Sequence, residues 1–463
     1  MMYEDLAARL LERAAALGAS FAEVRFEDAT SENIAVTNGR VSSLATTRRR
    51  GAGIRVLYNG SIGFSATSDL SPRGLEAALE EAYHAARALG GGDKRIAETS
   101  PAGRLRLEGV KRHPSTVGWE EKLGAAMAAY RRAVELGGQV VTTRYGAYYA
   151  VEEVYATGGF SSAFEKLVIG LSASVVLREN GKTGNGYESV GATGGFEALR
   201  GDFSPEAVAE KAYERAKLHL EASPPPAGEM AVITRPDLTG VFAHESFGHL
   251  TEADHVYTGA SPLQGRLGEE IASEHVTIVD AGWDERGGIR LLADDEGVAT
   301  RRTVLVERGV LKSYLHSRET AAEMGMEPTG NGRAQDYSHD PIVRMRNTFF
   351  EAGDWSEEEI VEETRRGLIL DMPAGGQVQL DGTFTFNAML GYLVENGERV
   401  KPVRDVVLAG NILEMLRYVD AVAGNVEIRT SPFGGCGKGG QHAYVGLGGP
   451  TLRASKLLVG GRQ

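Results

Sequence analysis

The stretch His244-Glu245-Ser246-Phe247-Gly248-His249 decides how the second half of this chain is read. It sets two imidazoles, both potential metal ligands, around a carboxylate able to activate water. In the shorter pattern H-E-x-x-H the two His lie at i and i+4 on one helical face, and the Glu is the general base. Here the spacing is H-E-x-x-x-H. Five residues of regular α-helix rotate the second His by roughly 140°, too far to share an ion. A π-bulge returns i and i+5 to one face, and Gly248 beside His249 is where the backbone can give. The spacing therefore predicts a non-ideal helix at 246–249.

Upstream, a short strand near 230–233 leads to this helix, which starts at about 237 with Asp237 after Pro236 as its expected N-cap. Pro224-Pro225-Pro226 cannot continue a helix and makes a stiff connection, so two domains are expected, 1–225 and 226–463. In the first, Leu6, Leu10 and Leu17 mark an amphipathic helix ended by Gly18. Ala22, Val24 and Phe26 then alternate with charged residues, and Asn38-Gly39 and Asn59-Gly60 signal two-residue hairpin turns. Ser71-Pro72 and Ser204-Pro205 open further helices, running to about Gly90 and Leu220, and another occupies 119–136. Beyond the H-E-x-x-x-H helix the chain reads as strands and Gly-rich loops, with one helix at 356–367 opened by Ser356 and Glu359. The fold class is α+β: an N-terminal antiparallel sheet with helices, and a β-rich C-terminal domain carrying the metal-site helix.

A metal site needs a third ligand. Cys436, the only thiol in the chain, lies in Pro432-Phe433-Gly434-Gly435-Cys436-Gly437-Lys438-Gly439-Gly440. A thiolate is a good zinc ligand beside imidazole, and a nearby Lys438 favours the thiolate. The plain alternative is a buried packing cysteine in a turning loop. A Cys-His nucleophile is a further reading, but it leaves the His-Glu pair unused. Glu252, Asp254 and His255 read as supports of the ligands more than as ligands. His316 and His442 are candidates only for lining a cleft. Gly437-Lys438 lacks the Ser or Thr and the first Gly of a phosphate loop, and no G-x-G-x-x-G is complete, so nucleotide binding is unsupported.

Composition narrows the class. The 463 residues carry 50 Lys plus Arg against 63 Asp plus Glu, a formal charge of −13 that disfavours nucleic acid or an anionic membrane as partner. One cysteine forms no intrachain disulfide and suits a reducing cytosol. No apolar window approaches the roughly 18 residues that span a bilayer, and the N-terminus lacks a secretory signal. A cytoplasmic location is expected. The 60 Gly residues exceed the usual share of about 7% and suggest many turns.

The stretch Gly330-Asn331-Gly332-Arg333-Ala334-Gln335-Asp336-Tyr337-Ser338-His339, continuing to Asn347, is dense in polar donors with little periodicity. Such loops often carry function. Tyr337, His339 and Arg344 are its candidates for stabilising an oxyanion. Together with H-E-x-x-x-H at 244–249 and G-C-G-K-G-G-Q at 435–441, it resembles the TldD/PmbA family, on the TldD side, over essentially the full length. That resemblance implies a cytosolic zinc metallopeptidase of the group also known as modulators of DNA gyrase, acting on unfolded polypeptides such as a microcin precursor or an antitoxin. It implies one Zn²⁺ per subunit on His244, His249 and Cys436, Glu245 as general base, and a dimer, with a PmbA (TldE) subunit or a second copy, enclosing a cavity. PmbA-type subunits lack the metal motif, whereas this chain keeps it. The rival reading is a non-catalytic regulatory or binding subunit acting on a protein partner.

Overall fold

Hairpin chemistry builds the N-terminal sheet. The computed structural model describes residues 2–461. Strands β1 (Phe21–Thr37) and β2 (Arg40–Tyr58) are joined at Asn38-Gly39, and β2 is joined to β3 (Ser61–Thr67) at Asn59-Gly60. Both Asn take φ of 48° and the following Gly 78° and 72°, the paired positive φ that a two-residue turn of this hand requires. β4 (Val140–Ala156), β5 (Phe160–Glu179) and β6 (Lys182–Ala192) complete the antiparallel order β3-β2-β1-β4-β5-β6, with the two-residue strand Gly103–Arg104 parallel to β5. Asn180-Gly181 makes the β5–β6 turn by the same device.

Helices α1 (Glu4–Ala16), α2 (Pro72–Ala88), α3 (Trp119–Glu135) and α4 (Pro205–Glu221) pack on this sheet. Ser71 and Ser204 cap α2 and α4, each accepting a backbone N–H three residues on, with Pro at the first helical position. The alanine stripe Ala209, Ala212 and Ala216 lets α4 lie close to β6. A Cβ on Gly186 would stand 1.9 Å from the Ala212 carbonyl oxygen.

In the C-terminal half, β7 (Gly228–Thr234) runs parallel to β8 (Arg366–Val378), which continues through β9 (Thr383–Glu395) into β10 (Glu398–Asn411). β11 (Leu452–Gly461) pairs with both β7 and β10, so five strands close into a barrel. Val232, Leu368, Phe384, Phe386 and Leu408 belong to the apolar core beside it. A second, six-stranded sheet carries Ile278–Ala281, Asn347–Phe350 and Gly446–Gly449 at its centre.

The molecule is α+β. Two local expectations are corrected. The helix expected at 356–367 keeps its Ser356/Glu359 capping box but ends at Glu362, because Arg366 already enters β8 beside β7. Asp237 is not the N-cap of its helix. Pro236 takes the first helical position, Arg235 precedes it, and the Asp237 carboxylate turns to Arg429 at 2.9 Å. No helix among the described residues is long and apolar enough to cross a membrane.

Candidate metal centre

The helix that carries the two histidines changes pitch twice. α5 (Pro236–Val241) runs on into a π-helical turn, Phe242–Phe247, and then a 3₁₀ turn, Gly248–Thr251. The distortion begins four residues before the expected 246. Phe242 anchors it, edge-on to Phe384 and Phe386 at 5.2 and 5.3 Å. The wide turn brings the His244 and His249 rings to 5.5 Å. A Cβ on Gly248 would stand 2.0 Å from the Met345 sulfur, so a side chain there would have to displace the Met345 thioether.

Cys436 reaches the same point from a hairpin of Cys436–Lys438 with Gln441–Ala443. Its Sγ lies 3.3 Å from His249 Nε2. One ligand atom each from His244, His249 and Cys436 lies within 4.8 Å of the others. His244 is fully buried, and neither ring nitrogen has a hydrogen-bond partner. Buried polar atoms are otherwise nearly always satisfied, so an unpartnered imidazole beside a thiol marks a place for a ligand. Two imidazoles and one thiolate are a donor set that suits zinc, leaving a fourth position open. The residues present fit such an ion.

The cluster's electrostatics are set by neighbours. Burial pushes the Cys436 thiol up, but His244 and His249 outweigh it and bring it down to about 5. Lys438 plays no such part. Its ammonium is drawn to Asp254 at 2.7 Å, the Val343 carbonyl at 2.9 Å and Glu252 at 3.2 Å. Burial lowers His249, yet Glu252 at 2.7 Å from Nδ1 raises it well above its ordinary value. Glu252 is itself buried, a penalty that His249 and Lys438 overcome, holding it at about 2. It thereby orients His249 so that Nε2 faces the sulfur.

Glu245 is the exposed member. Its carboxylate stands 3.7 Å from His249 Nε2 with the side chain 40% exposed, at the edge of a cavity of about 340 Å³. Arg344 is fully buried and donates to the carbonyl oxygens of Cys436 and Gln441. It braces the cysteine hairpin through these two bonds. Tyr337 and His339 sit on the N-terminal sheet: the Tyr337 ring covers Gly51, and Arg25 donates to the carbonyl oxygens of Asp336 and His339. The His339 ring is held by Asp336 at 2.8 Å. His316 is buried with both ring nitrogens unpartnered, and His442 lines a small separate cavity.

Sequence reasoning missed the charges that join the two halves. Glu23, Arg25 and Glu27 alternate with Val24 and Phe26, a pattern that identified the strand and in a half-buried antiparallel sheet ordinarily turns its charged face to solvent. That face is buried instead. Asp295 pairs with Lys166 and Arg25, and Glu296 with Arg55 at 2.7 Å. The run Asp294-Asp295-Glu296 behind Ile289, Leu291 and Ala293 was the available signal.

A closed barrel with an irregular helix that brings two histidines to one cysteine, a carboxylate alongside, defines a class of fold with a donor set that could hold a metal ion. Comparison with known proteins gives the family. Residues 227–461 match the PmbA/TldA metallopeptidase C-terminal domain, 22–86 its domain 1 and 112–220 its central domain. The segments 22–86 and 112–220 lie in one continuous sheet. A protein of Methanothermobacter thermautotrophicus named Metalloprotease is 38% identical over 95% of each chain. A Saccharolobus solfataricus protein named Zinc metalloprotease TldD homolog is 30% identical over 98% of this chain and 99% of its own. The crystal structure of TldE from Thermococcus kodakarensis covers 98% of this chain and 100% of its own, with a TM-score of 0.81 at 21% identity. The chain belongs to the PmbA/TldD metallopeptidase family.

Proposed function

We propose that this chain is a zinc-dependent peptidase acting on unfolded or extended peptides with broad sequence specificity, as in leader-peptide processing or antitoxin degradation. One observation carries the reading: buried, unpartnered His244 meets His249 and Cys436 while Glu245 faces a cavity. His244, His249 and Cys436 would hold one zinc per subunit. The ion supplies Lewis acidity toward a carbonyl and a water. Glu245 takes the proton of the attacking water and passes it to the leaving amine. Its exposure leaves the carboxylate free to do both, whereas Glu252 is committed to His249. Tyr337, His339 and Arg344 are the side chains proposed for oxyanion contact, the first two from a loop docked on the N-terminal sheet.

The unit with the metal is 226–463, and 1–225 forms the wall that faces it. The partner is a TldE-like subunit or a second copy, and the setting is the cytoplasm, where a lone thiol stays reduced. The fold shared with a TldE structure and the names of the relatives support this reading.

The deciding experiment incubates the zinc-loaded protein with a mixture of unfolded peptides and reads products by mass spectrometry beside E245Q. Cleavage by the wild type that falls about 10²- to 10⁴-fold in the variant is the expected result. Zinc retained with no cleavage, alone or with a TldE-like subunit added, would replace this reading with that of a non-catalytic binding subunit.

A further inference from the structure

The cavity beside Glu245 is lined from both halves of the chain. Its walls are Tyr187 of β6, Met372 and Pro373 of β8, Phe433 of the segment before Cys436, and Val445 and Leu447. Its charged residues other than Glu245 are Glu188, Arg215, Asp237 and Arg429, which form a closed ring. Arg215 pairs with Glu188 at 2.5 Å, Glu188 with Arg429 at 3.2 Å, Arg429 with Asp237 at 2.9 Å, and Asp237 with Arg215 at 3.7 Å. Each of the four therefore already faces two opposite charges.

From this we infer that the cavity is the pocket for a large apolar side chain of the substrate next to the scissile bond, and that the N-terminal sheet sets this preference through Tyr187. The inference rests on the peptidase reading above and narrows its substrate class. A charged side chain entering here finds no unpaired counter-ion and pays its desolvation unrewarded. The exception is Glu245 at the edge, and a cation drawn there would occupy the carboxylate that must take a proton. An aromatic or aliphatic side chain meets rings, thioether and branched alkyl groups on several sides. About 340 Å³ is near the lower end of small-molecule pockets, which suits one side chain and not a folded segment.

The test measures binding apart from turnover. Zinc-loaded E245Q is titrated with labelled peptides of a Gly-Ser background that carry one Phe, Ala, Glu or Lys. The Phe peptide should bind about tenfold or more tightly than the Ala peptide, the gain from burying one large apolar side chain. The Glu and Lys peptides should bind no better than Ala. Tyr187 is 42% exposed, so Y187D should fold, verified by its Tm, and it should erase the preference. L447D is the second variant, altering the wall contributed by the C-terminal half. Equal affinity for Phe and Ala peptides overturns the inference, as does a preference that survives both variants. Wild-type cleavage of the Phe peptide is read in parallel, alone and with a TldE-like subunit added. A binding preference without cleavage supports the pocket while sinking the peptidase reading, so the two failures remain distinct.

Discussion

His249 shows how far one side chain depends on its neighbours. Glu252 binds Nδ1, which leaves Nε2 directed at the Cys436 sulfur. Replacing that carboxylate should loosen the ring without removing a ligand. E252Q is expected to weaken zinc binding about 10- to 100-fold, measured by competition with a chromophoric chelator. An unchanged affinity would show that the ring is oriented by packing alone. Removing a proposed ligand is a harsher change, and C436S should lose stoichiometric zinc in metal analysis of the purified protein. His244, Glu245, His249 and Cys436 were readable from sequence because imidazole, carboxylate and thiol carry their chemistry with them. Arg344 was not. A guanidinium shows its role only through its partners, here a carbonyl oxygen 92 positions away.

At the scale of elements, turns and caps were legible where a residue type meets one backbone demand, as at Asn38-Gly39 and Ser204-Pro205. Asn180-Gly181 and Asn396-Gly397 make the same turn with the same positive φ, yet went unread as hairpins. The irregular helix was legible from a mismatch of periods, though its start was not, since Phe242 and its aromatic partners set it from across the core. The docking of the 330–341 loop was hidden, because neither surface carries a distinctive pattern. A Cβ on Gly53 would stand 2.4 Å from the Tyr337 carbonyl oxygen, a rigid backbone atom. G53A should therefore push this loop off β2, cost about 1–3 kcal/mol and speed amide exchange over 336–340. Protection equal to that of the wild type would deny the docking an energetic role.

Across the whole molecule, the three largest apolar clusters each lie within one half, and the surfaces between the halves combine smaller apolar contacts, such as Val168 with Ile289 and Leu291, with a wealth of charge. Pairings of this kind are scattered along the sequence and leave no period to detect. Burial pushes Asp237 up to about 6 against the pull of Arg429. A carboxyl raised above its ordinary 3.8 destabilises the fold at neutral pH, and that penalty fades as pH falls from about 6 toward 3.8. D237N cannot ionise, so its Tm relative to wild type should be higher at pH 7 than at pH 5. A difference independent of pH would contradict the raised value. Stripping zinc with a chelator should lower Tm by about 5 °C or more, because an ion held only by the folded chain stabilises it by mass action. Cys436 stands 187 positions after His249, and that separation has a consequence during synthesis. A growing chain shows the ribosome's surroundings its histidines and glutamate long before its thiol. Under the peptidase reading proposed above, the nascent protein would hold an unfinished blade until that last ligand emerges and the hairpin folds back, and would spare the unfolded polypeptides crowding around it.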